Sequence, residues 1–442
     1  MQPSAPRAGQ GHSGVPRLRE FAGGLIVLAA ALLVLVLAPS AHGAVGDLVF
    51  RSCLAEGGAA DCAPVVSLFG ASGVAVNAAG TSAYVASDNE DSLTIFTRDP
   101  AGGGLGFHSC LSLTGTGDCT QATLLDGATG VAVSPDGASV YVASASSDSL
   151  THLRRTAAGG LIPFGTNSDP ELDGAFAVAV SPEGNIVYLV ARDRGIIRPF
   201  TRNANGRLGG APSCHGEAGV GACLPAFSLA GARGVAVSPD GSSVYVAASS
   251  DDSVTHFSVG LFSELTLRGC YDDGNTGGCT PVGTLDGAAS VAVSPDGASV
   301  YVVGDDGDTL TTFARAADGA LAFRGCHRDT GATGCAAVAS LSGARGVAVS
   351  PDGGSVYVTS VFDDALTTFS RAPDGSLAFR GCVAVGGGEG CAPVASLDVA
   401  VGVAVSPDGS SVYASANGTG SISHFSRSAS YSSTTCSEME SM

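Results

Sequence analysis

Short runs of apolar and β-branched residues alternate with turn residues along nearly the whole chain, and one run keeps returning. The unit GVAVSPDGxSVYVAS occupies, with small variations, 73–87, 130–144, 177–191, 234–248, 290–304, 346–360 and 402–416. Within it VAV predicts a strand and SVYVAS a returning strand. Ser-Pro-Asp-Gly between them predicts a tight turn, with Pro presetting φ and Gly accepting a positive φ. An Asp-rich turn follows, then a third strand of the form SLTxF (92–96, 253–257). A second polar turn, such as 317–319, leads to a fourth strand, LAFRGC. Tyr84, Tyr141, Tyr188, Tyr245, Tyr301, Tyr357 and Tyr413 mark intervals of 57, 47, 57, 56, 56 and 56 residues, the length of one four-stranded repeat.

Seven such repeats predict an all-β, seven-bladed β-propeller with four-stranded antiparallel blades. The segment 48–53 matches the fourth strand of the repeat and 421–425 the third. The N-terminal strand is therefore expected to complete the last blade, closing the ring and leaving no long exposed edge. Three regions follow: a leader over 1–44, the propeller over 45–427, and a Ser-rich, frayed tail over 428–442.

The leader carries Arg7, Arg17 and Arg19 ahead of an unbroken apolar run, 21–38, and then Pro39 and small residues. That is the plan of a signal peptide cleaved near 41–44, and the run is also nearly long enough to remain as a membrane anchor. Either way the propeller is expected outside the cytoplasm, secreted or in the cell envelope. Twelve of the thirteen cysteines form pairs with eight residues between them: Cys53 and Cys62, Cys110 and Cys119, Cys214 and Cys223, Cys270 and Cys279, Cys326 and Cys335, Cys382 and Cys391. Local disulfides suit an oxidising compartment. Zinc is the competing reading, but the spacing lacks a short knuckle and no His recurs beside the pairs. Cys436 is left over.

Composition narrows the partners. Forty acidic residues against 21 basic ones give a formal charge of −19, which excludes nucleic acid and disfavours anionic membranes. We expect a monomer, with membrane contact only through an uncleaved leader. Sixty-four glycines and 20 prolines with 14% charged residues fit many tight turns rather than long helices.

VAVSPDGxxxYV repeats over about 45–427 resemble the seven-bladed propellers of the lactonase and YVTN type. WD40 repeats share the SPDG turn, but this chain has no Trp. The resemblance implies lactone hydrolysis at the mouth of the central channel, where such enzymes carry Pro-Arg-His entering the first strand. Arg233 and Arg345, in GARGVAV, match the Arg. Gly234 and Gly346 stand where the His would be, and the later Phe-His-Pro position reads Val-Ser-Pro at 237–239. The departure removes an imidazole that could act as base and leaves anion binding. The alternative is that these arginines are one variable template position, shared with Ser72, Thr129, Phe176, Ala289 and Val401.

Two further constellations stand out. Asp88, Glu90, Asp91, Asp148, Asp193, Asp251, Asp252, Asp305, Asp306, Asp308, Asp363 and Asp364 fall in the second turns, which should share one acidic face with the cysteine loops. Among them Asp305, Asp306 and Asp308 are a weak candidate for Ca²⁺, against the plainer reading that Asp initiates turns and keeps the chain soluble. No other cofactor is expected. The third repeat is ten residues short because 164–172 lacks a cysteine loop, and it carries Arg192, Arg194 and Arg198 with Phe176 at the channel mouth. Phe176, Arg192, Arg194 and Arg233, with Arg345, are the candidate site for a small anionic or sugar-acid ligand, through Arg forks and an aromatic platform. Neutral drift of one repeat is the competing explanation. His152, His256 and His424 share one third-strand position and read as framework. No nucleophile elbow, HExxH pair or phosphate loop is present. The chain thus reads as a ligand-binding or protein-interaction scaffold, with a lactonase-like hydrolase (6-phosphogluconolactonase type) or a surface adhesion module as alternatives.

Overall fold

In all seven repeats VAV and SVYVAS lie antiparallel, and the repeat tyrosine faces the Ala of VAV, as in Tyr141 opposite Ala132 and Tyr301 opposite Ala292. The computed structural model describes residues 46–115, 118–210, 214–217, 220–274, 278–331 and 334–428. The leader through residue 45 and the tail from 429, with Cys436, lie outside the described residues. Each repeat builds one sheet and there are seven sheets. We number blades 1 to 6 by their spans, 71–121, 128–168, 175–226, 232–281, 288–337 and 344–393.

Blade 7 joins the two ends of the chain. Ala400–Val405, Ser411–Ala416 and Ser421–Arg427 supply its inner strands, and Leu48–Glu56 pairs antiparallel with Ser421–Arg427 as its fourth. The expected closure is therefore observed. One refinement is that six sheets carry a short fifth strand parallel to the fourth, such as Ala63–Val65 in blade 7. Two or three residues of strand leave no periodicity to read in a sequence. Blade 2 stops at four strands, Leu161–Ser168 being its outermost, because the loop that would carry a fifth is the one missing from the sequence.

The core lies between blades. Every second strand is buried along its whole length, since one side of the sheet meets the preceding blade and the other side the next. Tyr84 and Ala86 of blade 1 pack with Val140 and Val142 of blade 2, and Tyr413 of blade 7 packs with Ala83 and Val85 of blade 1. Burial on both sides is why SVYVAS is nearly continuous in apolar character rather than alternating.

On the face carrying the Ser-Pro-Asp-Gly turns, a second device joins neighbours. The last residue of a third strand, or in blade 3 the residue just after it, is Arg98, Arg202, Arg315, Arg371 or Arg427. Each guanidinium reaches the preceding repeat, donating through Nε to a tyrosine hydroxyl and through Nη2 to the turn Asp. Arg371 does so at 2.8 Å to Tyr301 and 2.7 Å to Asp296, and Arg427 at 2.8 Å to both Tyr357 and Asp352. The tyrosine in turn donates to a glycine carbonyl of a third-to-fourth-strand turn, as Tyr301 does to Gly375 and Tyr245 to Gly319. Two junctions are incomplete: Arg155 faces a turn without Asp and donates to Ser82, and Val259 stands in place of the Arg next to blade 3. Because the Arg371 side chain is only 5% exposed, Arg371→Ala leaves the Tyr301 hydroxyl without its buried donor. The expected loss is about 2 kcal/mol, read by denaturant unfolding; an unchanged midpoint would show that packing alone holds the blades.

Candidate functional site

The first strands of the seven blades surround the central channel, and their N-terminal ends form its mouth. Close approach there requires the template glycine in blades 4 and 6, while blades 3 and 5 carry Ala177 and Ser290 at the same position. A Cβ on Gly234 would lie 2.8 Å from Ser290 Cα, and one on Gly346 would lie 2.4 Å from the Val401 carbonyl oxygen. At both positions where the lactonase resemblance calls for His, the neighbouring blade's backbone excludes any side chain. The channel mouth encloses a cavity of about 200 Å³ lined by Thr129, Phe176, Arg233, Ser290, Arg345 and Val401, among others.

Arg233 and Arg345 project from the starts of the first strands of blades 4 and 6, Ala232–Val237 and Ala344–Val349. Asp305, at the end of a second strand in the blade between them, accepts from Arg233 Nη1 at 2.9 Å and from Arg345 Nη1 at 3.2 Å. One carboxylate thus holds two guanidinium groups side by side. Burial, with Arg233 close by, pulls Arg345 below the usual guanidinium range. Arg233 Nε is buried without a partner. On the blade 3 side, the guanidinium carbons of Arg192 and Arg233 lie 5.2 and 5.5 Å from the centroid of the Phe176 ring, at cation–π distance. Arg192 is also gripped by Asp193, through Nε at 2.7 Å and Nη2 at 3.2 Å.

The structure therefore brings together Phe176, Arg192, Arg233 and Arg345. Arg194 does not join them: its Nε donates to the Pro170 carbonyl at 3.1 Å on the surface. Arg198 pairs with Asp169 and Glu171 beside the linker that lacks a cysteine loop. The Phe176 ring is itself engaged by two of these arginines, Arg192 and Arg233.

Asp305, Asp306 and Asp308 do not converge as a calcium site. Asp305 belongs to the arginines, and Asp308 accepts from the Gly343 N–H of the next blade at 2.7 Å. The same backbone latch recurs from Asp91 to Gly127, Asp148 to Gly174, Asp252 to Gly287 and Asp364 to Val399, so these turn carboxylates join blades. Among the described residues, metal-like spacing of His, Cys, Asp or Glu occurs only for Glu171 with Cys214 and Cys223, and those two cysteines are bonded to each other. All six expected disulfides are present. The face they share is acidic, as expected: burial and neighbouring Asp91 push the Asp126 carboxyl up, and burial together with Asp252, Asp273 and Asp306 does the same to Asp286.

The second-turn residue that sequence reasoning left undistinguished is Asp88. Burial raises its carboxyl above the ordinary range, Asn417 Nδ2 donates to it at 3.1 Å, and it lies within electrostatic reach of Arg345. The available signal was its place in blade 1, which the ring sets next to blade 7 at the same mouth. His152, His256 and His424 are framework, each bonded through Nε2 to a serine and stacked on the tyrosine of its own blade.

Comparison with known proteins agrees with this architecture. The family model "Lactonase, 7-bladed beta-propeller" matches residues 74–214. Among curated proteins, no sequence matches the chain. Among solved structures, the periplasmic gluconolactonase PpgL of Pseudomonas aeruginosa is similar, at 22% identity and a TM-score of 0.54 over 70% of this chain and 83% of that one. A candidate 6-phosphogluconolactonase from Bacteroides uniformis is 18% identical, with a TM-score of 0.57 over 76% of this chain and 88% of that one. The β-propeller domain of Cps50 (Swd1) from Myceliophteria thermophila, at 12% identity and a TM-score of 0.56, covers 86% of this chain and 99% of that domain. At such identities the likeness is one of fold. Residues 74–214 match the lactonase-family model, and they form part of a closed ring of seven blades.

Proposed function

We propose that this chain is an extracytoplasmic lactone hydrolase, acting on a sugar lactone at the mouth of the central channel. The observation that carries the reading is the pair Arg233 and Arg345, set side by side on Asp305 over a small cavity. Paired guanidinium groups are suited to the oxyanion that develops when water attacks a lactone carbonyl. Asp88, with its raised carboxyl near Arg345, takes the proton from the attacking water. The tetrahedral intermediate collapses with cleavage of the ring C–O bond, the proton passes to the departing ring oxygen, and a sugar acid is left beside the arginines. The six disulfides and the likeness to a periplasmic gluconolactonase support the compartment.

The test is glucono-δ-lactone hydrolysis followed by pH-stat. The chain should accelerate it over buffer, and Arg345→Ala should lower kcat/KM by about 100-fold or more, with Asp88→Asn lowering kcat. A rate equal to the uncatalysed one would end the hydrolase reading. A second reading, a binder of sugar acids without catalysis, is favoured by Gly234 and Gly346, whose packing leaves no room for an imidazole base. In that case calorimetry finds gluconate bound, Arg345→Ala abolishes binding, and no hydrolysis accompanies it.

A further inference from the structure

The turns between third and fourth strands all lie on one face of the ring, opposite the acidic mouth. In most blades their tips are small or polar: Ala317 and Asp318 in blade 5, Pro373 and Asp374 in blade 6, Ala204 and Asn205 in blade 3. Blade 4 places Leu261 and Phe262 there, 97% and 85% exposed. The tip is built rather than loose. Gly260 N–H donates to the Glu264 carbonyl at 2.9 Å, and Phe262 N–H to Glu264 Oε2 at 2.9 Å. Ser263 takes the positive φ, 68°, that glycine supplies in the equivalent turns. The turn therefore holds two large apolar side chains out in solvent, where two such neighbours are not needed for folding.

Two observations identify what covers them. The first is where the described chain begins. Tyr357 donates to the Gly46 carbonyl as Tyr301 does to Gly375 and Tyr245 to Gly319, so Gly46 fills the same turn position in blade 7 and lies on this face. Only residues 39–45 separate it from the apolar run 21–38, a reach of about 25 Å when fully extended. The second is charge. The turn carboxylates Asp136, Asp240, Asp296, Asp352 and Asp408 on this face are each matched by an arginine and Asp99, Asp318 and Asp374 are each capped by a backbone N–H of their own turn, whereas carboxylates crowd one another on the mouth face.

We propose that the face bearing Leu261 and Phe262 rests on a lipid bilayer, with these two side chains inserted among the acyl chains and the channel mouth turned away from the membrane. Two side chains give only weak, reversible attachment by themselves, and the apolar run 21–38, in the chain that retains it, supplies the second anchor that stable association needs. The proposal is independent of any activity at the mouth.

The chain contains no tryptophan, so a single introduced one reports alone. The full 442-residue chain is synthesised in the presence of phosphatidylcholine vesicles, as Phe262→Trp and, on the mouth face, as Phe362→Trp. The Phe262→Trp protein should show blue-shifted emission and lose most of its intensity when the vesicles contain brominated phosphatidylcholine, while the Phe362→Trp protein should show neither change. An unquenched Phe262→Trp protein overturns the proposal, and equal quenching of the two variants overturns the orientation. Lactone turnover, which depends on the mouth, should be the same in the Phe262→Trp protein as in the parent.

Discussion

Acidification from pH 7 to 4 should destabilise the ring steeply, well before the arginine-paired turn carboxylates are neutralised. His152, His256 and His424 are buried, and burial, reinforced by Arg202, Arg315 and Arg98 respectively, pushes each imidazole down to about 4. In the unfolded chain they titrate near the ordinary value of about 6.5. Between those values the unfolded state binds more protons, so stability is complete above about pH 6.5 and falls as the pH drops towards 4. A gap of this size corresponds to on the order of 3 kcal/mol for each histidine. Below pH 4 the histidines add nothing further and the turn carboxylates take over. Burial alone would raise Asp240 and Asp408, but hydrogen bonds from serines and the neighbouring arginine hold them well below the ordinary range, so their contribution is lost only in stronger acid. Thermal unfolding at half-unit pH steps should show both phases. Replacing all three histidines by Thr, the residue at this position in blades 5 and 6 as Thr312 and Thr368, should flatten the first phase and leave the second. A first phase of undiminished slope in that variant would disprove the assignment.

Reduction should have an effect of similar size by a different route. Each bridge closes a loop between cysteines nine positions apart, and loops of that length contribute roughly 2 to 3 kcal/mol each, mainly by restricting the unfolded chain. Calorimetry with and without thiol should show a large fall in Tm. Blade 2 is the internal control. Its linker has no bridge and is tied by Arg198 to Asp169 and Glu171, with Glu171 also accepting from Ala222 N–H at 3.1 Å. Hydrogen exchange around 168–174 should therefore respond to thiol only through the Cys214–Cys223 bridge of the next blade, whose loop contains Ala222. A Tm that does not move would mean the bridges are redundant with the sheets.

The seven-blade ring was legible because the repeat fixes the strand count and the odd fourth-strand match at 48–53 fixes the closure. The arginine clamps were equally available to the eye, since Arg98, Arg155, Arg202, Arg315, Arg371 and Arg427 share one column. A period tells which residues are equivalent, though, and not which neighbour a long side chain reaches. The same gap explains the site. Equivalence placed Phe176, Arg233 and Arg345 at the mouth, and the structure joins them. Asp305 was grouped with Asp306 and Asp308 by sequence proximity, whereas its partners come from the blades on either side. Arg194 is two residues from Arg192, and that separation turns its side chain towards Pro170 instead.

Blade 7 imposes an order of events on the maturing molecule. Arg51, which emerges early, donates to Ser426 from 375 positions further along. The earliest-made strand therefore waits beside an open arc until the final hairpin has been translated. Until then its hydrogen-bonding groups and those of its future neighbour are unmatched, and a nascent chain stalled short of its end is a template for pairing with other chains. The locked circle can form only after the last strand is complete.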